Sequence, residues 1–216
     1  MKTSKPKKVG ILLPDTKGDI QADIWEVVLL YYFLERSKLY AVNILPAVIP
    51  LPEEEAISPP FNTTYLMGDI VDLDREIGKG IEGLVIPGIV YDTKSELDGS
   101  SPNPVLVNNE VRRFLREMYR RKKPIAASGL AVELLAAAIS DITEVPLTVT
   151  VGNNPKTERS IESYNCITVN TRKGEVIIDE TNRLITTAGH FGERKIGAVY
   201  TCMENLIAGL KTSINN

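Results

Sequence analysis

Histidine and cysteine are nearly absent from this chain, with one histidine and two cysteines in 216 residues. Two thiols are too few for a disulfide framework, and Cys166 and Cys202 with the lone His190 make a poor zinc set. No metal and no cofactor is therefore expected, and the compartment is expected to be reducing and cytoplasmic. Charge of one sign is also lacking: 25 Lys and Arg stand against 28 Asp and Glu, a formal charge of −3. No global positive field then draws the protein to nucleic acid or to an anionic membrane surface. Long apolar runs are missing too. The strongest, Pro124 to Ser140, is interrupted by Glu133 and is too short to span a bilayer comfortably. Near the start, Lys2, Lys5, Lys7 and Lys8 precede an apolar stretch that Pro14 and Asp15 break after a few residues, unlike a signal peptide. Neither a repeat nor a low-complexity segment occurs.

What is present is an ordinary globular composition, 43% hydrophobic and 25% charged, enough to bury one core. A single domain over residues 1–216 is expected, with residues 1–6 as a disordered arm. Lys8 to Leu13 reads as a buried strand stopped by Pro14, and Ala22 to Arg36 as a helix with Asp19 or Asp23 near its positive end. That helix carries hardly any polar stripe, so a second cover is expected, a homodimer partner being one. Tyr40 to Leu45 reads as the next strand, followed by a proline-rich exposed connection from Pro46 to Pro60. A short strand at Ile70-Val71, a brief helix from Asp74 to Lys79 and a buried strand from Gly83 to Pro87 come next. A loop from Tyr91 to Pro104 leads into a helix from Val105 to Lys122 with a basic outer face. Pro124 to Ala127 is a strand that turns at Ser128-Gly129 into a small-residue helix from Leu130 to Ile139. Strands are expected at 147–151, 166–170, 175–179 and 184–187, and a last helix from Gly192 to Lys211. Strands alternating with helices argue for a parallel α/β sandwich.

The turn at Ser128-Gly129 is the informative place, because α/β enzymes often mount a nucleophile on a sharp strand-to-helix turn where backbone amides can receive an oxyanion. Together with Gly83-Leu84-Val85-Ile86-Pro87-Gly88, the segment Lys123 to Leu135 resembles the class I glutamine-amidotransferase-like superfamily that includes the PfpI proteases and the parkinsonism-associated deglycase. Met67 to Ile70, Thr148 to Gly152 and Val176 to Thr187 resemble most the ElbB-like isoprenoid-biosynthesis proteins with an amidotransferase-like domain. The resemblance covers residues 7 to 211. It implies a flavodoxin-like three-layer sandwich with a mostly parallel central sheet and a nucleophile-elbow position after one strand.

Laid on that pattern without a gap, the nucleophilic cysteine falls on Gly129 and the residue before it on Ser128. The family's elbow residue is held at positive φ, a strain of about 1–3 kcal/mol that glycine does not feel. The family's first-helix glutamate has Asp23 as its nearest match, with Trp25 where a histidine would stand. The second glycine after the third-strand proline is Ile89, whose β-branched side chain would crowd the pocket. Gly129, Leu130, Gly88, Ile89 and Asp23 would line what remains of it.

Candidate catalytic residues are Ser128, His190 and Asp23. Ser128 needs an adjacent base and stands one residue before the elbow, which favours a structural role. His190 follows a strand, as functional loop residues do, with Glu193 three residues on where the amidotransferase dyad has two. A capping or interface role is the plainer reading. Cys166 and Cys202 read as small buried hydrophobes, and the basic stripe of Arg112, Arg116, Arg120 and Lys123 as a solvated face, so nucleic acid is not expected. The leading expectation is a non-catalytic binding or regulatory homodimer, joined through the first helix, for a small metabolite or a protein partner. The alternative is a glyoxalase-like, deglycase-like or amide-hydrolysing enzyme using Ser128 or His190.

Overall fold

Seven strands form the main sheet in the computed structural model, which describes residues 7–13, 20–45, 69–72, 80–91, 107, 109–191 and 195–216. They are β1 (Lys8–Leu12), β3 (Tyr40–Leu45), β4 (Asp69–Asp72), β5 (Ile81–Ile86), β7 (Ile125–Ser128), β10 (Val176–Asp179) and β11 (Leu184–Thr187), in the order β10-β11-β7-β5-β1-β3-β4. All neighbours pair parallel except the edge pair β10 and β11. The expected arm at 1–6, the connection from Pro46 to Pro60, the helix at 74–79 and most of the loop to Pro104 lie outside the described residues.

Period-two alternation assigns the two faces. Leu84, Ile86, Ile125, Ala127 and Leu184 point to one side, where they pack with α2 (Asn109–Arg120) and α3 (Ala131–Ile139). Val9, Ile11, Val85, Ala126 and Ile185 point to the other, against α1 (Ile24–Arg36) and α5 (Ile196–Asn215). Parallel strands buried on both faces read as near-continuous aliphatic runs, and Gly-Leu-Val-Ile in β5 is such a run. The result is the expected three-layer α/β sandwich.

Some elements differ from expectation. Two three-residue strands, β2 (Ile20–Ala22) and β6 (Ile89–Tyr91), pair antiparallel in a separate ribbon. A second small pair joins β8 (Thr148–Val149) and β9 (Ile167–Thr168). Between those two lies an unanticipated helix, α4 (Pro155–Glu162), capped by Asn154 through a 3.3 Å bond from the Thr157 N–H. It is polar and buries only Thr157 and Ile161, so it shows little apolar period.

The first helix buries Val27, Leu30, Tyr31, Phe33 and Leu34, while Trp25, Val28 and Tyr32 stay exposed at 58%, 43% and 49%. Its apolar outer face is thus uncovered in the single chain. The basic face of α2 is only partly solvated. Arg112 and Arg116 donate to the carbonyls of Ala137 and Ala138 at 2.7 and 2.9 Å, satisfying the C-terminal end of α3, and Arg116 also pairs with Asp141. Both cysteines are buried, as expected.

Candidate functional site

Three neighbouring parallel strands end at one edge of the sheet, and a glycine follows each: Gly88 beyond β5, Gly129 directly after β7, and Gly189 beyond β11. The carboxyl ends of parallel strands are where open α/β sheets bind ligands. Gly129 sits at φ +54° in the strand-turn-helix, as the elbow alignment requires, and its N–H donates to the Thr187 carbonyl at 3.0 Å. Leu130 follows at φ −63° and opens α3.

Beside this turn lies a carboxylate that the sequence reading did not single out. Glu26, in the first turn of α1, is 0% exposed. Its Oε2 accepts the Gly88 N–H at 2.6 Å and its Oε1 accepts the His190 N–H at 3.2 Å. Asp23, expected to stand for the family's first-helix glutamate, does something else. Its Oδ1 caps α1 by accepting the Trp25 and Glu26 N–H groups at 2.9 and 3.2 Å. Its own N–H donates to the Gly88 carbonyl at 2.8 Å, and its Oδ2 pairs with Nδ1 of His190. Glu26 therefore lies against Gly88, Gly189 and Ser128, the residue before the elbow glycine, and Asp23 orients the histidine.

The Asp-x-x-Glu spacing was the available signal, and it was also the disguise. At an N-cap, such spacing reads as a capping box, in which the glutamate reaches back to the cap residue's own N–H. Here that N–H is taken by Gly88, and Glu26 turns under the sheet edge instead.

Burial, and then repulsion from Asp23, push the Glu26 carboxyl above its ordinary value; the Gly88 N–H, the Ser128 hydroxyl and His190 pull it back only in part. Ser128 is completely buried. Its hydroxyl lies near enough to Glu26 to favour the ionised form, yet it makes no well-formed hydrogen bond of its own. Gly189, at φ +54°, closes the site: a Cβ there would run into Ser128 Oγ and Glu26 Oε1, closer than real Cβ atoms approach anything.

His190 stands in the 3₁₀ turn Gly189–Phe191, and among the described residues nothing hydrogen-bonds its Nε2. A carboxylate on Nδ1 that leaves Nε2 open is the arrangement of a general base or of a ligand-binding imidazole. Its side chain is 24% exposed, so the cluster reaches solvent on that side. Ile89, expected to crowd the pocket, is buried in the apolar cluster with Leu130 and the residues of α2 and α3. Trp25 lies on the exposed face of α1, and Glu193 falls outside the described residues.

No family model matches the chain. Solved structures do. An isoprenoid biosynthesis protein with an amidotransferase-like domain from Ehrlichia chaffeensis superposes with a TM-score of 0.74 at 18% identity, over 95% of this chain and 98% of that one. This chain shares that protein's amidotransferase-like fold. The same fold is seen in DJ-1beta from Drosophila melanogaster, with a TM-score of 0.56 at 15% identity over 97% of this chain and 96% of that one. It recurs in a ThiJ/PfpI domain protein from Brachyspira murdochii, with a TM-score of 0.54 at 11% identity over 94% and 99%. At these identities the likeness is one of fold.

Proposed function

We propose that this ThiJ/PfpI-fold chain has lost the elbow nucleophile and binds a small molecule non-covalently at the Gly129 turn, as a single-domain cytoplasmic homodimer. The observation that carries the reading is Gly129 at positive φ, directly after the Ser128 that lies beside the buried Glu26. The geometry of an elbow is kept where no side chain is present to attack a substrate. Asp23, Glu26 and His190 supply acceptors and an imidazole for a polar, oxygen-bearing ligand, and Gly189, having no Cβ, lets Ser128 and Glu26 pack against its backbone. The exposed Trp25, Val28 and Tyr32 support the homodimer. Among the described residues no helix is long and apolar enough to cross a membrane.

A second reading has one specific support, the pairing of Asp23 with His190 Nδ1. Under it, Nε2 moves protons on an α-oxoaldehyde or activates water on an amide or ester without a covalent intermediate. One experiment separates the two: turnover of α-oxoaldehydes, glutamine and activated esters by the purified chain, run beside Ser128→Ala and His190→Ala. No turnover above the variants is the expected result, and it would support the binding role. Turnover lost in His190→Ala would establish the enzyme reading instead, and turnover lost in Ser128→Ala would place a nucleophile one residue before the elbow.

A further inference from the structure

We propose that Asp23, Glu26 and His190 form a mononuclear site for a divalent transition-metal ion of the zinc or cobalt kind, open to solvent on the His190 side. The inference deepens the pocket proposed above and rests on it for the ion's role, which is to hold an oxygen atom of the ligand.

Three side chains each offer one ligand atom, and those atoms all lie within 4.8 Å of one another. Bonds of about 2.0–2.2 Å to a tetrahedral ion set its ligand atoms roughly 3.4 Å apart, so small rotations close the set around one centre. One imidazole with two carboxylates is a borderline donor set, suited to Zn²⁺ and its neighbours more than to calcium or to a thiolate-seeking ion. Three protein ligands leave a fourth position for water or substrate, as in catalytic zinc sites.

Donor proximity alone would not carry this. The second observation is Ser128 Oγ, completely buried and without a well-formed hydrogen bond. A buried hydroxyl left unmade costs about 1–3 kcal/mol. It points into this cluster: the space where a Gly189 Cβ would stand is in contact with both Ser128 Oγ and Glu26 Oε1. A water or hydroxide in the ion's fourth position would be the partner this hydroxyl lacks.

Two of the three ligands have backbone support of the kind that orients metal ligands. The second oxygen of Glu26 is fixed by the Gly88 N–H, and the second oxygen of Asp23 by two amides at the start of α1. Both carboxylates are thus held by backbone, and His190 follows directly on the closing glycine.

The test uses the full chain freed of metal with a chelator that is then removed. It is titrated with Co²⁺, followed by visible absorption, and with Zn²⁺, followed by calorimetry. One ion per chain is expected, with nitrogen and oxygen ligation and no thiolate charge-transfer band. Affinity should fall at least tenfold in His190→Ala and in Asp23→Asn, the second of which keeps a good helix cap and so tests ligation without losing the fold. Failure to bind at millimolar ion, binding unchanged in both variants, or a thiolate band that Cys166→Ser abolishes would each overturn the site. The small-molecule reading is scored separately. Retention of glutamine or of an α-oxoaldehyde in equilibrium dialysis by a metal-free chain that takes up no ion would overturn the ion and leave the pocket standing, whereas ion uptake with neither probe retained would do the reverse.

Discussion

Gly189→Ala tests the site's construction most directly. Two separable costs are expected. Placing an L-residue at φ +54° costs about 1–2 kcal/mol. The new methyl must also displace Ser128 Oγ or Glu26 Oε1, and overpacking of this kind adds about 1–3 kcal/mol. Gly80→Ala isolates the first cost, because Gly80 has φ +83° and nothing lies within 4 Å of its Cβ position. Chemical denaturation should therefore rank Gly189→Ala below Gly80→Ala by about 1–3 kcal/mol at unchanged m-value. For a chain of this size, each kcal/mol lowers the thermal midpoint by about 2–4 °C. Ser128→Ala removes one of the two colliding atoms, and on its own it should stabilise by up to about 1–3 kcal/mol, because the buried hydroxyl it deletes has no partner. In the double variant it should return at least about 1 kcal/mol beyond that single effect, a coupling that residues in contact can show. Equal losses in Gly189→Ala and Gly80→Ala, or no rescue by Ser128→Ala, would refute the cradle as described.

Gly129→Cys should place a thiol at the elbow for about 1–2 kcal/mol of backbone strain, and alkylation followed by mass spectrometry should find it labelled before either native cysteine. Burial pushes the Cys166 thiol up to about 11, so at pH 8 the folded native protein should resist iodoacetamide at that position until denaturant is added. Because the folded value of Glu26 is raised above 4.5, its contribution to stability is fully present below that pH and is lost as pH rises through the folded value. Glu26→Gln should flatten that part of the stability profile of the metal-free chain, read from denaturation midpoints. Trp25→Glu with Tyr32→Glu should convert a dimer to a monomer by light scattering while the thermal midpoint stays within a few degrees; a dimer that survives would move the interface elsewhere.

The sheet was legible because its strands are aliphatic and its alternation is strict, as in Leu84, Val85 and Ile86, whose side chains divide between the two clusters. The elbow was legible for a different reason. A strand, a glycine and a small-residue helix are adjacent in sequence, so the turn is a local feature. The ribbon of β2 and β6 was not, since three residues are too few to show a period. The polar α4 hid for want of an apolar stripe, although Asn154-Pro155 is a fair cap and first-turn pair. The site was legible only in part. Asp23 and His190 are 167 positions apart, and nothing local announces that β11 returns the histidine to the start of α1. Glu26 was masked by a spacing that has a commoner structural use.

Glu26 also shows why the cluster points to an occupant. A carboxylate with 0% exposure, with a second carboxylate beside it, costs stability that an apolar side chain of similar size would not. The buried Ser128 hydroxyl, without a well-formed hydrogen bond, adds to the cost of the cluster. A species that binds only the folded chain offsets such costs by mass action, about 2.7 kcal/mol at one hundred times its Kd. Zn²⁺ at that excess should raise the thermal midpoint of the metal-free protein by about 5–10 °C, at 2–4 °C per kcal/mol. His190→Ala should lose most of that shift while unfolding near the metal-free native midpoint. An equal shift in His190→Ala would mean that the ion binds elsewhere, and no shift in the native chain would mean that Asp23, Glu26 and His190 are held together for a purely organic ligand.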